Sequence, residues 1–336
     1  MNTSIKNSEA FDKIFSTEPF DFKQVALEVF HFQHQTNKIY RRYCDTLKID
    51  STKIDAIQKI PFLPIAFFKT HTIISTDFEP QVIFESSGTT QTINSKHLVK
   101  DISLYQKSFI AAFNLFYGKP EDWCIIALLP SYLERNNSSL VMMADKLIEQ
   151  SNHPQSGFYL NETHKLSDTL QLLENHQQKT LLIGVTFALL DFAENFPMPL
   201  EYTTIMETGG MKGRREELTR QEIHEILCKN FNVDKIHSEY GMTELLSQAY
   251  SKGDGIFGCP PWMKVMVREE DDPLSVQVLN NTNTIAGAVN VIDLANIYSC
   301  SFIATDDAAK IYPDGTFEIL GRLDNSDIRG CSLLSL

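Results

Sequence analysis

The sequence has no apolar run long enough to cross a bilayer, which takes about eighteen residues or more, and Lys, Glu, Asp and Asn interrupt the apolar positions of its first thirty residues. Neither membrane insertion nor a secretory leader is expected. Cysteine is scattered: Cys44, Cys124, Cys228, Cys259, Cys300 and Cys331 form no CxxC pair, so neither a zinc site nor a disulfide scaffold is indicated. Basic charge is in deficit, with 30 Lys and Arg against 43 Asp and Glu and a formal charge of −13. Such a surface repels nucleic-acid backbones and anionic membranes on average. No internal repeat or low-complexity tract appears. What remains is a 336-residue chain, 43% hydrophobic and 22% charged, able to bury a sizeable core. A soluble cytoplasmic protein with reduced thiols is expected.

Periodicity supplies the organisation. From Ser8 to about Leu47 apolar residues recur at helical spacing. "IPFLPIAFFK", Ile60 to Lys69, carries Pro61 and Pro64, which bar a helix interior and impose an extended course. Beyond it short apolar runs alternate with helical stretches, the pattern of a parallel sheet flanked by helices. Strands are expected at Val82–Glu85, Trp123–Leu129, Thr180–Val185, Thr203–Glu207 and Lys235–Glu239. Helices are expected near Ile102–Phe116, Leu140–Gln150, Ser167–His176, Phe187–Asn195 and Arg220–Asn230, the last opened by Thr219 and Glu222 in capping-box spacing. After about residue 260 the runs Val265–Val267, Ser275–Leu279, Ala288–Ile292 and Phe317–Ile319 read as a smaller antiparallel β region.

Polar residues collect where the strands end, and in open α/β sheets ligands bind outside those carboxyl ends. In "FESSGTT" an apolar run gives way to Ser86, Ser87, Gly88, Thr89 and Thr90, with Lys96 beyond. Hydroxyls and a glycine backbone can hold phosphates, although a solvated Ser/Thr turn has the same composition. No second glycine stands before Lys96, so this is not a Walker A loop. "HSEYGMTE", His237 to Glu244, offers Tyr240 for stacking on a base, Gly241, Thr243 for an α-phosphate and Glu244 for Mg2+; a core-edge tyrosine beside a simple turn is the plainer alternative. In Thr305 to Gly330, Asp307 could accept from ribose hydroxyls and Arg322 could clamp a phosphate or ribose, with Tyr312 to Gly315 as a turn. A charged surface hairpin would read alike.

In this order, the Ser/Thr/Gly loop with its lysine, the YGxTE motif, "TDD" and "GRxD" resemble the adenylate-forming superfamily of acyl-CoA synthetases, luciferases and peptide-synthetase adenylation domains. "IPFLPIAFFK", "FESSGTT", "ETGGMKG" and "GRLDNSDIRGCSLL" look most like its acyl-protein synthetase (LuxE-type) branch, with phenylacetate-CoA ligases as nearer relatives than the long synthetases. The resemblance implies an α/β fold of stacked, mostly parallel sheets flanked by helices plus a smaller antiparallel β region. It implies an N-terminal helical segment (residues 1–75), an ATP- and acyl-binding domain (76–322) and a short tail (323–336). With twelve residues after Asp324, the usual C-terminal lid domain is not expected.

The implied chemistry is attack of a carboxylate, expected to be that of a fatty acid, on the α-phosphorus of ATP, giving an acyl-adenylate and pyrophosphate, then acyl transfer to a thiol. Ser86, Ser87, Gly88, Thr89, Thr90 and Lys96 would hold the β- and γ-phosphates. Gly209 and Gly210 would let the backbone approach adenine and the acyl group; Tyr240, with Gly241, would face the adenine. Thr243 would serve the α-phosphate, Glu244 would hold Mg2+, Asp307 the ribose, and Arg322 would sit by the nucleotide. Cys331, with Arg329 favouring its thiolate, would carry the acyl group and present it to an acyl-accepting reductase or carrier protein; the alternative is a cysteine that packs the chain end. Lys96, Lys212 and Arg322 are the cations left to neutralise the transition state. Two residues depart from the pattern: Gln91 stands where the family loop has a glycine, and Asp306 where TGD has one. Gly184 to Phe196 and the Ile60 run have enough apolar surface for an acyl tunnel, or are simply core. The rivals are an acyl-CoA ligase of the phenylacetate type, with CoA as acceptor, and a non-catalytic nucleotide or acyl-carrier binding module.

Overall fold

A computed structural model describes residues 13–16, 18–86, 93–129, 137–160, 162–209, 218–280 and 282–323. Its helices are α1 Phe22–Thr36, α2 Lys38–Thr46, α3 Phe67–Thr70, α4 Ile102–Tyr117, α5 Ser139–Ser151, α6 Thr163–Asn175, α7 Thr186–Asn195 and α8 Arg220–Phe231. The strands begin with β1 Leu63–Pro64, β2 Val82–Glu85, β3 Lys96–Val99, β4 Cys124–Leu128, β5 Gly157–Phe158, β6 Thr180–Val185 and β7 Thr203–Thr208. They continue with β8 His237–Tyr240, β9 Ala249–Ser251, β10 Ile256–Gly258, β11 Met263–Arg268, β12 Ile285–Asp293, β13 Phe302–Ile311 and β14 Phe317–Arg322. Among the described residues no helix is long and apolar enough to cross a membrane.

One sheet runs β11-β12-β13-β14-β10-β9-β8-β7-β6-β4-β5, with β1 parallel to β13. Strands β5, β4, β6, β7 and β8 are parallel; the pairings from β8 onward to β11 are antiparallel. Every residue of β4 and β6 is buried, as helices on both faces of a parallel sheet require. The parallel and antiparallel regions read from the sequence are thus halves of one sheet, joined through β8 and β9. Val82–Glu85 differs from expectation: it pairs with β3 in a separate antiparallel hairpin. Of 275–279, Val276 alone forms a β-bridge, with Arg268.

Asn37 divides the N-terminal helical stretch. Its backbone N–H closes α1 on Gln33, and its side chain accepts from Tyr40 N at 2.9 Å to open α2, a capping role suited to a short polar side chain. The two helices lock onto the antiparallel half: buried Gln33 donates to the carbonyls of Asn296 and Ile297, both at 3.0 Å, and Tyr40 stacks on Phe302. Pro61 and Pro64 keep 60–64 extended, as read, but Phe67–Thr70 makes one helical turn. The Thr219/Glu222 capping box forms in both directions and opens α8.

Candidate active site

The carboxyl ends of β7 and β8 carry two glutamates in contrasting states. Glu207 is buried; burial alone would raise its pKa, but contact with His224 and Arg220 brings it below the ordinary value. Arg220 Nε lies 3.4 Å and His224 Nε2 3.7 Å from its Oε1, and the Thr186 hydroxyl donates to Oε2 at 3.0 Å. Glu239, one strand over, has no cation within ion-pair distance among the described residues. Burial, reinforced by the Glu207 charge and opposed by the Thr208 hydroxyl that donates to its Oε2, pushes its carboxyl up to about 7. Two chain features hold this arrangement. Gly209 turns with φ +73°, a conformation a Cβ resists. At Gly241 a Cβ would collide with Glu239 Oε1.

A raised carboxyl pKa destabilises the fold as pH climbs, because the unfolded chain ionises near 4.5 and the folded one near 7. Glu239→Gln does not titrate, so its stability advantage over the parent should grow by about 2 kcal/mol between pH 5 and pH 8. Urea denaturation at the two pH values measures this; an advantage equal at both would refute the assignment.

The β13–β14 register places Asp307 opposite Arg322, with Nε 3.9 Å from Oδ1. The Tyr240 hydroxyl donates to Asp307 Oδ2 at 2.8 Å. Burial raises the Asp307 carboxyl, while Tyr240 and Arg322 work in the opposite direction. The Tyr240 ring, itself buried, packs edge-on against Phe257 and Phe317. Asp306 is the neighbour of Asp307 on β13, so the two side chains leave opposite faces of the strand, and the Arg268 charge acts on Asp306.

The third group surrounds Glu244. Ser86 and Ser95 pair at the loop end of the β2–β3 hairpin, Ser95 N donating to Ser86 Oγ at 2.9 Å and Ser86 N to the Ser95 carbonyl at 3.1 Å. Lys96 beside them is exposed and 3.4 Å from Glu85. Glu244 is 5% exposed; burial raises its carboxyl, the Ser95 hydroxyl contact lowers it, and Lys69 and Arg322 act at longer range. Ser87, Gly88, Thr89, Thr90, Gly210, Lys212, Arg329 and Cys331 lie outside the described residues.

His97, which flanks the Ser/Thr loop and reads from the sequence as a hydrogen-bonded wall, and Asn296 and Asp293, which the sequence did not single out, hold this loop in place. His97 Nδ1 faces the Thr243 carbonyl at 2.9 Å; a carbonyl only accepts, so Nδ1 carries the proton and Nε2 accepts from the Ser299 hydroxyl at 2.8 Å. Burial pushes the ring pKa down to about 4, keeping it neutral. Asn296 donates to the Glu244 carbonyl at 2.7 Å. Asp293 accepts from Leu246 N and the Ser247 hydroxyl at 2.8 and 2.6 Å. The signal available was local: Asp293 ends a largely apolar strand and Asn296 follows in the short turn after it.

Among the described residues no three His, Cys, Asp or Glu side chains cluster as a metal cage. Glu244, a buried carboxylate without an ion-pair partner among the described residues, fits instead a Mg2+ bound by one protein carboxylate and by substrate phosphates. Beside it opens a cleft lined by polar and apolar side chains alike, among them Glu85, Tyr105, Met143, Glu239, Thr243 and Gln248. The Gly184–Phe196 and Ile60 runs do not line it: Phe187, Leu189, Phe192, Phe62 and Phe68 are packed core.

A continuous parallel-to-antiparallel sheet with polar loops at its carboxyl ends is the fold of the N-terminal part of adenylate-forming enzymes. The ATP-bound MatB of Rhodopseudomonas palustris has it, at 17% identity and TM-score 0.53 over 74% of this chain and 49% of that one. An ATP-bound RpMatB-BxBclM chimera, B3, matches at 16% identity and TM-score 0.50 over 74% and 49%. The chain therefore spans about half the length of these solved structures. Within that class, residues 2–335 match the family model described as acyl-protein synthetase, LuxE, and the chain belongs to that family. It is also similar to the long-chain-fatty-acid–luciferin-component ligase of Photorhabdus luminescens, 34% identical over 93 residues, covering 25% of this chain and 79% of that protein.

Proposed function

We propose that the chain activates a carboxylic acid with ATP and Mg2+ and passes the acyl group to a protein thiol, its own Cys331 first and then a partner's. One observation supports this most. The Tyr240 hydroxyl donates to Asp307 at 2.8 Å and Arg322 lies 3.9 Å from the same carboxylate, while Glu244 touches Ser95 at the end of the Ser/Thr loop, so motif residues far apart in the chain pair with one another as the reading requires. The relative named as a long-chain-fatty-acid ligase favours a fatty acid.

In this reading Ser86, Ser87, Gly88, Thr89, Thr90 and Lys96 hold the β- and γ-phosphates, the exposed Lys96 exchanging its half-buried Glu85 partner for phosphate at little cost. Asp307 accepts from the ribose, and Tyr240 fixes the Asp307 carboxylate as well as bordering adenine. Gly209, Gly210 and Gly241 let the backbone approach the ligands. Thr243 donates to the α-phosphate and Arg322 offsets its charge. Mg2+ at Glu244 would supply charge neutralisation for the departing pyrophosphate. A substrate carboxylate oxygen bonds to the α-phosphorus as the bond to pyrophosphate breaks; the thiolate of Cys331 then bonds to the acyl carbon, and AMP leaves with the electron pair.

Two readouts separate these steps. Acid-dependent exchange of pyrophosphate into ATP should occur, and Cys331→Ser should leave it within about twofold, since the thiol enters only after adenylation. Intact-protein mass spectrometry should show a hydroxylamine-sensitive acyl adduct in the parent and none in Cys331→Ser. Absence of exchange with every acid tested overturns activation; an adduct that survives in Cys331→Ser overturns the carrier role, and acyl-CoA formation without any adduct selects CoA as acceptor.

A further inference from the structure

Arg220 is the first residue of α8, where the positive end of the helix disfavours a cation. Contacts to three other elements hold its guanidinium there. Nε lies 3.4 Å from Oε1 of the buried Glu207 on β7, Nη1 donates to the Ile319 carbonyl of β14 at 3.2 Å, and the central carbon sits 5.1 Å from the centre of the Phe257 ring on β10. Each contact leads to a residue of the nucleoside side of the site. Glu207 Oε2 and the Gly209 carbonyl share the Thr186 hydroxyl, at 3.0 and 3.1 Å, which fixes the backbone turn at Gly209. The Phe257 ring packs edge-on against Tyr240 with centres 6.0 Å apart, and Tyr240 in turn bonds Asp307. Ile319 stands three residues before Arg322 on the same strand. The Arg220 charge also joins Tyr240 and Arg322 in opposing the burial that raises the Asp307 carboxyl, which favours the ionised form that accepts from hydroxyls. Ser86, Thr243 and Glu244 are held by a separate set of contacts, from β3 and the turn after β12. A lysine could answer Glu207, but an ammonium lacks the planar fork that serves all three sides at once.

We infer that Arg220 is a positioning residue for the nucleoside half of ATP, setting Gly209, Tyr240 and the strand that bears Arg322 against one another without itself touching the ligand. The inference rests on the acid-activation reading for the placing of adenine and ribose. To that reading it adds the group that fixes this half of the site independently of the phosphate half. Loss of Arg220 therefore weakens binding common to the ground and transition states, which raises KM for ATP and leaves kcat nearly as it was.

The test is calorimetric titration of the full chain with AMP and, separately, with pyrophosphate, each with Mg2+ present. Arg220→Met is made in a Glu207→Gln background, so that no carboxylate is left buried and unpaired, and is compared with Glu207→Gln alone. AMP is expected to bind about ten-fold or more weakly in the double variant, with pyrophosphate within about twofold, because only the nucleoside half has lost its alignment. Arg220→Lys in the otherwise unchanged chain should weaken AMP by about threefold or more, since the charge stays and the fork is lost. Should the double variant fail to fold, Arg220→Lys decides alone. AMP and pyrophosphate weakened alike, AMP within about twofold of its reference in the double variant, or Arg220→Lys equal to the parent overturns the inference. A parent that binds no AMP overturns it too, together with the activation reading. Acid-dependent pyrophosphate exchange keeps the two apart in the other cases. Exchange in the parent with AMP affinity indifferent to Arg220 leaves activation standing and removes this inference, whereas selective loss of AMP binding in a chain that shows no exchange does the reverse.

Discussion

Glu244→Gln is expected to lower acid-dependent pyrophosphate exchange by about 10²–10³-fold while leaving the melting temperature unchanged or higher. The two halves of that expectation have one cause. Glu244 is a buried carboxylate whose ionisation is disfavoured chiefly by loss of water, and among the described residues no Lys or Arg lies within ion-pair distance to compensate it. Left alone, such a charge costs stability; glutamine keeps the volume and the capacity to accept from Ser95 while removing the charge. A divalent cation bridging the carboxylate and the phosphates uses that same charge, and losing one preorganised charge interaction at the reacting centre costs roughly 3–4 kcal/mol of transition-state stabilisation. The concentration of Mg2+ giving half-maximal exchange should rise as well. Exchange within threefold of the parent, or a melting temperature several degrees lower, would show that Glu244 serves the fold and not the reaction.

Much of this arrangement was readable before any coordinates. Thr180–Val185 appears with its expected bounds because an uninterrupted apolar run buried on both faces has few alternatives, and Thr219 with Glu222 marks the start of α8 because capping is local chemistry. Pairing partners were less legible. Val82–Glu85 is apolar like the central strands, and an apolar run of that length does not specify which neighbour it joins; it joins β3 instead of the main sheet. Strand β13 was hidden by Asp306 and Asp307, which look like loop residues and are tolerated in a strand because the Arg268 charge acts on one and the other meets Tyr240 and Arg322. Those partners are distant in sequence, so no local pattern reports them.

Asp293→Ala should cost about 3–5 kcal/mol and lower the melting temperature by roughly 6–12 °C. Its carboxylate, fully buried at the end of β12, accepts from Leu246 N, the Ser247 hydroxyl and Ala295 N. Alanine strands these donors in a place water does not reach, each worth on the order of 1–3 kcal/mol with partial relief from Asn296, which shares Leu246 N at 3.0 Å. Two of the three donors belong to the segment immediately after Glu244, and the hydroxyl of Ser247 continues through Ser108 to the Trp262 indole. The damage therefore spreads from stability to geometry: once Leu246 and Ser247 are released, Thr243 and Glu244 keep only the His97 and Asn296 contacts to fix their backbone. Exchange measured at 15 °C, where the variant is still folded, should fall about ten-fold or more, since small displacements of positioning groups are expensive. Asp293→Asn should recover much of the stability by retaining one oxygen. Equal melting temperatures for the parent and the alanine variant would mean that the network is not what holds the Thr243–Glu244 loop against the antiparallel half of the sheet.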